Sequence, residues 1–121
     1  QTITYNGHMG GLVKNNGSYS YGTGTYTQVW SMNTGTGNTT ANFNNSSYSG
    51  TTTRTGNYGF QATMPTTNPN TPGRTMNMNG VFLGQNYPNY QAGTFSVNGP
   101  NYQAGGVFTG QKVGPNPGPG H

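Results

Sequence analysis

The chain of 121 residues contains no cysteine, no aspartate and no glutamate. Without cysteine there is no disulfide, no thiolate metal site and no cysteine nucleophile. Without a carboxylate side chain, paired-acid hydrolysis, a Ser-His-Asp triad and a carboxylate metal site all lack their residues. The sequence therefore reads as non-enzymatic, with no catalytic residue and no cofactor-binding residue. Charge is scarce altogether, at 3% of residues, and the four cations are Lys14, Arg54, Arg74 and Lys112. Spread over the whole chain they form no basic patch, so no nucleic acid is expected as a partner. No apolar run approaches the roughly 18 residues of a membrane-spanning helix, so no transmembrane segment is expected. No segment keeps an apolar 3.6-residue period, and glycine recurs every few positions, so helix is disfavoured nearly throughout.

The missing acids have a counterpart in abundant amides, 18 Asn and 7 Gln. An ordinary domain is about a quarter charged, so roughly 15 acids would be expected here. Two explanations stand side by side. Either the chain is truly acid-free, or some amide letters occupy the places of the nearly isosteric acids. In the second case the nominal charge of +4 would turn strongly negative. Asn15, Asn16, Asn68 and Asn70, with the segment 86–89, would then be calcium-loop candidates.

What remains is a glycine-, tyrosine- and hydroxyl-rich chain, 27% hydrophobic, with 22 glycines and 9 tyrosines. That is enough for a thin core between strands. Residues 2–5 read as a short strand, Asn6-Gly7 as a turn, and residues 10–14 as a second strand. Asn15-Asn16-Gly17 turns the chain into a long strand, 18–30. Tyr19 and Tyr21 share one face of it, and Tyr26, Gln28 and Trp30 share another. The change of phase suggests a bulge at Gly22 and Gly24. A loop is expected over 33–38, then strands 40–43 and 48–53 around Asn44-Asn45, and a turn at Gly56-Asn57. Tyr58, Phe60, Ala62 and Met64 alternate with polar residues in a half-buried strand. A proline-rich loop covers 65–73. Three strands follow, with inward residues Met76, Met78, Gly80 and Phe82; then Gly93, Phe95 and Val97; then Ala104, Gly106 and Phe108. The spacing predicts a small antiparallel up-and-down β-barrel of about eight strands over 1–113, in which rings lie over glycines of neighbouring strands. Residues 114–121 form a Pro/Gly-rich extended tail.

The stretch 76–113 is the most regular. Asn-Tyr-Gln-Ala-Gly occurs at 89–93 and 101–105, and Gly-Val-Phe-x-Gly-Gln at 80–85 and 106–111. The first pair, 12 residues apart, reads as successive strands. The second, 26 apart, reads as strands two positions from each other. Gly80, Phe82, Gly84, Gly93, Phe95, Gly106, Phe108 and Gly110 are the structural residues of this stretch. With the strand ending in Phe43 and the Tyr-Ser-Gly at 48–50, residues 39–113 resemble the eight-stranded barrel domain of transferrin-binding-protein-like surface proteins of Gram-negative bacteria. The resemblance implies a cell-surface barrel that binds a ligand or host protein through variable loops. The chain departs from that pattern in its missing acids and in lacking an anchor cysteine and a second lobe.

His8 reads as a solvated turn histidine and His121 as part of the tail; two histidines make no zinc site. Tyr19, Tyr21, Tyr26 and Trp30 would serve either as a ligand face or, in the favoured reading, as cross-strand aromatic pairs. The composition points to an extracellular or cell-surface location. The leading expectation is a secreted structural protein, a subunit of a surface assembly or filament that self-associates when the strand-like N-terminus (residues 2–5) or the Pro/Gly tail adds to an open edge of a neighbour. A ligand- or host-protein-binding barrel with an extracellular protein partner is the alternative.

Overall fold

A computed structural model describes residues 1–84 and 88–113. Eight strands run in chain order: β1 (Thr2–Asn15), β2 (Ser18–Ser31), β3 (Thr36–Phe43), β4 (Ser46–Thr55), β5 (Gly59–Pro65), β6 (Thr75–Leu83), β7 (Tyr90–Gly99) and β8 (Tyr102–Lys112). Each pairs antiparallel with the next, and β8 returns to β1 to close an up-and-down barrel. The expected small all-β barrel is thus what the chain forms, and the described residues contain no helix. Gln85, Asn86 and the tail with His121 lie outside the described residues.

Alternation sorts the side chains. Tyr5, Met9 and Val13 of β1, Tyr26 and Trp30 of β2, and Phe43 of β3 are buried inside. So are Phe60, Met64, Met76, Met78, Phe82, Phe95, Val97, Tyr102 and Phe108. The outer wall carries Thr25, Thr27, Asn38, Thr40, Thr51 and Thr53, all exposed. A barrel facing lipid would carry an apolar band there.

The wall closes tightly where glycines face each other. Gly11 of β1 is paired with Gly106 of β8, and Gly80 of β6 with Gly93 of β7. A Cβ on Gly106 would overlap the carbonyl oxygen of Gly10, and one on Gly93 the carbonyl oxygen of Asn79. Side chains at these positions would hold the strands apart, so glycine sets how sharply the sheet can curl. The expected rings over glycines are present. The Phe108 ring lies over Gly80 and Gly93, and the Tyr26 ring over Gly7 and Gly110.

Four local expectations are corrected. Asn6-Gly7 is no turn. β1 runs unbroken through it, paired with β2 on one side and β8 on the other, and Gly7 is small so that Tyr26 can lie over it. Gly22 and Gly24 make no bulge, because the β1–β2 register is continuous from Thr2↔Ser31 to Asn15↔Ser18. Tyr19 and Tyr21 simply point outward by parity, whereas Tyr26, Gln28 and Trp30 point inward. The four aromatic residues Tyr19, Tyr21, Tyr26 and Trp30 therefore share no face. The expected loop over 33–38 is shorter, since Thr36, Gly37 and Asn38 belong to β3. Tyr58 precedes β5 and is exposed, while Phe60, Ala62 and Met64 are buried as expected.

The repeats land on successive strands, and on strands two apart, as their spacing implies. Their faces differ. In the first Asn-Tyr-Gln-Ala-Gly copy Tyr90 is 52% exposed; in the second Tyr102 is 1% exposed. The β7–β8 register pairs even with odd numbers, as in Gly99↔Tyr102. Crossing that hairpin swaps which parity faces inward, so an even spacing of 12 turns the repeat over. The Gly-x-Phe-x-Gly copies cross two such registers and keep their face.

Candidate functional site

The hairpins at 16–17, 44–45 and 100–101 and the loop 66–74 gather at one end of the barrel, the upper end. Asn16 and Gly17 both have positive φ (51° and 84°), as do Asn44 and Asn45 (51° and 65°). Two successive positive φ values match the twist of a two-residue hairpin, and Asn and Gly tolerate them best. The loop 66–74 is tied down by side chains. Asn68 accepts from the Asn70 N–H (2.9 Å) and donates its amide to the Asn45 carbonyl (3.4 Å). Thr71 and Ser46 hydroxyls lie 2.9 Å apart. The Arg74 guanidinium stacks 3.5 Å from the Tyr102 ring centroid and donates to Ser46 Oγ (3.2 Å).

Of the calcium-loop candidates, Asn15, Asn16, Asn68 and Asn70 are at this upper end, on separate segments, while Asn86 of the segment 86–89 lies outside the described residues. Asn15 and Asn16 close the β1–β2 hairpin, while Asn68 and Asn70 build their own turn. Asn68 uses both its acceptor and its donor, which suits an amide rather than an acid. Among the described residues no three His, Cys, Asp or Glu side chains come together. His8 stands exposed on the outer face of β1, within the strand and not beside a turn.

The barrel interior holds a polar chain that the sequence does not announce. Tyr26 Oη donates to Gln91 Oε1 (2.8 Å), and Gln91 Nε2 donates to Gln28 Oε1 (2.7 Å). That same Gln28 oxygen accepts from Trp30 Nε1. Gln28 Nε2 donates to Thr39 Oγ1 (2.9 Å), and Thr39 is bonded to Thr52 (2.5 Å). Each glutamine both donates and accepts in a buried position, a use no ionised acid could fill. Burial pushes the hydroxyls of Tyr26 and Tyr48 above the ordinary tyrosine pKa. The chain makes these hydrogen bonds among its own buried members. It fixes the packing of the barrel rather than presenting reactive groups.

The eight structural residues fall where the motif places them. Gly80 and Phe82 line β6, Gly93 and Phe95 line β7, and Gly106, Phe108 and Gly110 line β8. Gly84 follows β6 with φ 120°, against Pro88. Phe95 packs on Phe43 with centroids 4.9 Å apart, and Phe108 on Tyr26 at 5.3 Å.

The wall is uneven at the upper end. β2 is paired with β1 along its full length, but β3 covers only Gly24–Ser31. The Asn44 N–H adds one bond to the Thr23 carbonyl (3.0 Å). Beyond it, residues 18–22 have no strand on the β3 side among the described residues. Tyr19 and Tyr21, on the outer face of this projecting hairpin, are 65% and 72% exposed. Leu12, the cross-strand partner of Tyr21, and Val107 on β8 are exposed as well. Together they put an apolar stripe on this part of the wall; Val81, Leu83 and Tyr90 are exposed elsewhere on it. Lys14 lies 5.7 Å from the Tyr19 ring centroid. On the other side of Lys14 a groove of about 570 Å³ runs between Asn16, Asn101, Tyr102 and Gln103.

Fold and site together define a closed, filled, eight-stranded antiparallel barrel whose β1–β2 hairpin is partly uncovered among the described residues. A comparison with family models finds no match for this chain, and a comparison with curated proteins finds none either.

Proposed function

We propose that the chain is a non-enzymatic structural subunit that associates with copies of itself into an extracellular or cell-surface assembly. The observation that carries this reading is the uncovered β2 edge beside the stripe of Leu12, Tyr19, Tyr21 and Val107. A protein that works as a soluble monomer blunts such edges with charge, proline or bulges. Residues 18–22 (SYSYG) contain none of these. The filled interior supports the same reading, since Trp30, Phe60, Phe82 and Phe108 occupy the space in which a ligand-carrying barrel keeps its cavity. With the ring of strands closed, open edges of the barrel wall itself are not the means of association; the projecting hairpin is.

The test is the size of the purified chain, by sedimentation and electron microscopy, as concentration rises. Oligomers or filaments are expected. Monomers at every concentration would contradict the reading. The second reading, a surface barrel that binds a ligand or host protein as the resemblance implies, is favoured by the groove beside Lys14. A monomeric chain that binds a host surface protein, with binding lost on Lys14→Ala, would support it instead.

A further inference from the structure

We propose that residues 18–22 of β2 pair antiparallel with the same residues of a second copy, about a two-fold axis at Ser20. This deepens the assembly reading above and rests on it.

The backbone supplies the bonds. Because the Asn44 N–H reaches the Thr23 carbonyl, the alternation of a strand sends the N–H and C=O groups of Tyr21 and Tyr19 to the same side. That side has no partner beyond Thr23 among the described residues. The even-numbered residues turn to β1, where Asn15↔Ser18 closes the hairpin. Two residues with both groups free form one self-complementary ladder when copies meet with Tyr19 opposite Tyr21. Four hydrogen bonds result, each copy giving two and taking two.

The sequence fits that register. Tyr-Ser-Tyr reads the same in both directions, so an antiparallel partner sets Ser20 against Ser20 and Ser18 against Gly22. The inward-facing row is then small throughout. The outward row brings four tyrosines side by side, in cross-strand pairs of the kind that stabilise sheets. No charge lies in the segment, so no like charges meet at the axis. The two-fold contact is closed in itself, as isologous contacts are. It produces a dimer, and a longer assembly needs a second surface.

The chain lacks cysteine, which makes disulfide trapping direct. At the axis the two Ser20 residues form a non-hydrogen-bonded pair with Cα atoms about 4.5 Å apart, within reach of a disulfide. Two Ser18 residues would stand four positions apart along the ladder, about 13 Å. Under mild oxidation at high protein concentration, Ser20→Cys is expected to cross-link at least tenfold faster than Ser18→Cys. Adding Tyr21→Pro should abolish the difference. Proline removes a donor from the uncovered side and leaves the β1 ladder intact. Should that variant misfold by circular dichroism, Tyr19→Lys, which sets a charged side chain into the outward tyrosine row, serves in its place. Equal rates for the two cysteine variants overturn the proposal. If sedimentation shows the wild type as an oligomer while Ser20→Cys resists cross-linking, the edge pairing falls and the assembly reading stands. A wild type that stays monomeric in the same samples removes both.

Discussion

The two halves of the barrel are built on different principles. In the lower half, toward the start of β1 and the end of β2, Trp30 packs against Phe82 (5.6 Å) and Phe60 (6.0 Å). Beside them Gln28 and Gln91 carry a buried hydrogen-bonded chain. Each of those side chains has one arrangement that satisfies its partners. In the upper half Met9, Val13, Met64, Met76 and Val97 pack beside the rings of Phe43, Tyr48, Phe95 and Tyr102. The methionines adapt their shape and ask for no hydrogen bond. Both ends finish with an arginine over a ring, Arg54 at 5.3 Å from Phe82 and Arg74 at 3.5 Å from Tyr102. In a chain without acids, aromatic faces and carbonyl or hydroxyl oxygens take the place of salt bridges. Among the described residues the fully buried side-chain hydrogen bonds lie in the lower half, and those of the upper half, such as Asn44 to Tyr102 Oη (2.9 Å), are only part-buried.

The comparison breaks most severely at Trp30. Trp30→Ala should cost about 4 kcal/mol in denaturant unfolding, from lost volume, and it leaves Gln28 with one donor fewer. A cost below about 2 kcal/mol would show that the lower half is no more specific than the upper.

Exchanging one side chain of similar size in each half sharpens the contrast. Gln28→Leu removes the acceptor of the Trp30 and Gln91 donors and the donor to Thr39, so about 3 kcal/mol should be lost. Met76→Leu in the upper half should cost less than about 1.5 kcal/mol. Equal losses would erase the distinction.

The buried hydroxyl of Tyr26 in the lower half sets an alkaline limit. Its pKa is raised in the folded chain by burial, and secondarily by Tyr5. A raised value means that stability is whole below the unfolded pKa of about 10 and declines as the pH rises through it. Melting temperature should therefore fall above about pH 10, less steeply in Tyr26→Phe. With no carboxylate side chain there is no acid limb, so melting should stay level between about pH 5 and 3. A fall in that interval would contradict the amide identity of the Asn and Gln positions.

The smallest expected effects are at the arginine lids. Arg74→Met should cost about 1 kcal/mol, and Arg54→Met, over a more distant ring, less than that. The reverse order would mean that the stacking distance is not what decides.

Much of this was legible in the sequence because it rests on local rules. Turn residues such as Asn16-Gly17 and Asn44-Asn45 mark hairpins by their positive φ. Alternation in β5 to β8 reveals inward Phe82, Phe95 and Phe108. Misreadings arose where a local signal served a distant partner. Asn-Gly at 6–7 looks like a turn, but Gly7 is there for the Tyr26 ring across β2. The apparent phase change in β2 is the same strand showing both faces. The partners of Gln28 and Gln91 are 63 residues apart, so periodicity gives no sign of them. Nor does it show that β3 stops short of residues 18–22, since that depends on the relative lengths of paired strands. The projecting edge thus became visible only with the register.

The central claim is that the backbone groups of Tyr19 and Tyr21 are free in one copy and paired between two. Residue-resolved amide hydrogen exchange at low and high protein concentration tests it most directly. In dilute solution Tyr19 and Tyr21 should exchange fast while Ser20 and Gly22, bonded to β1, exchange slowly. On concentration the two tyrosine amides should become protected as well. Amides of Tyr19 and Tyr21 that exchange at the same rate at both concentrations would contradict it.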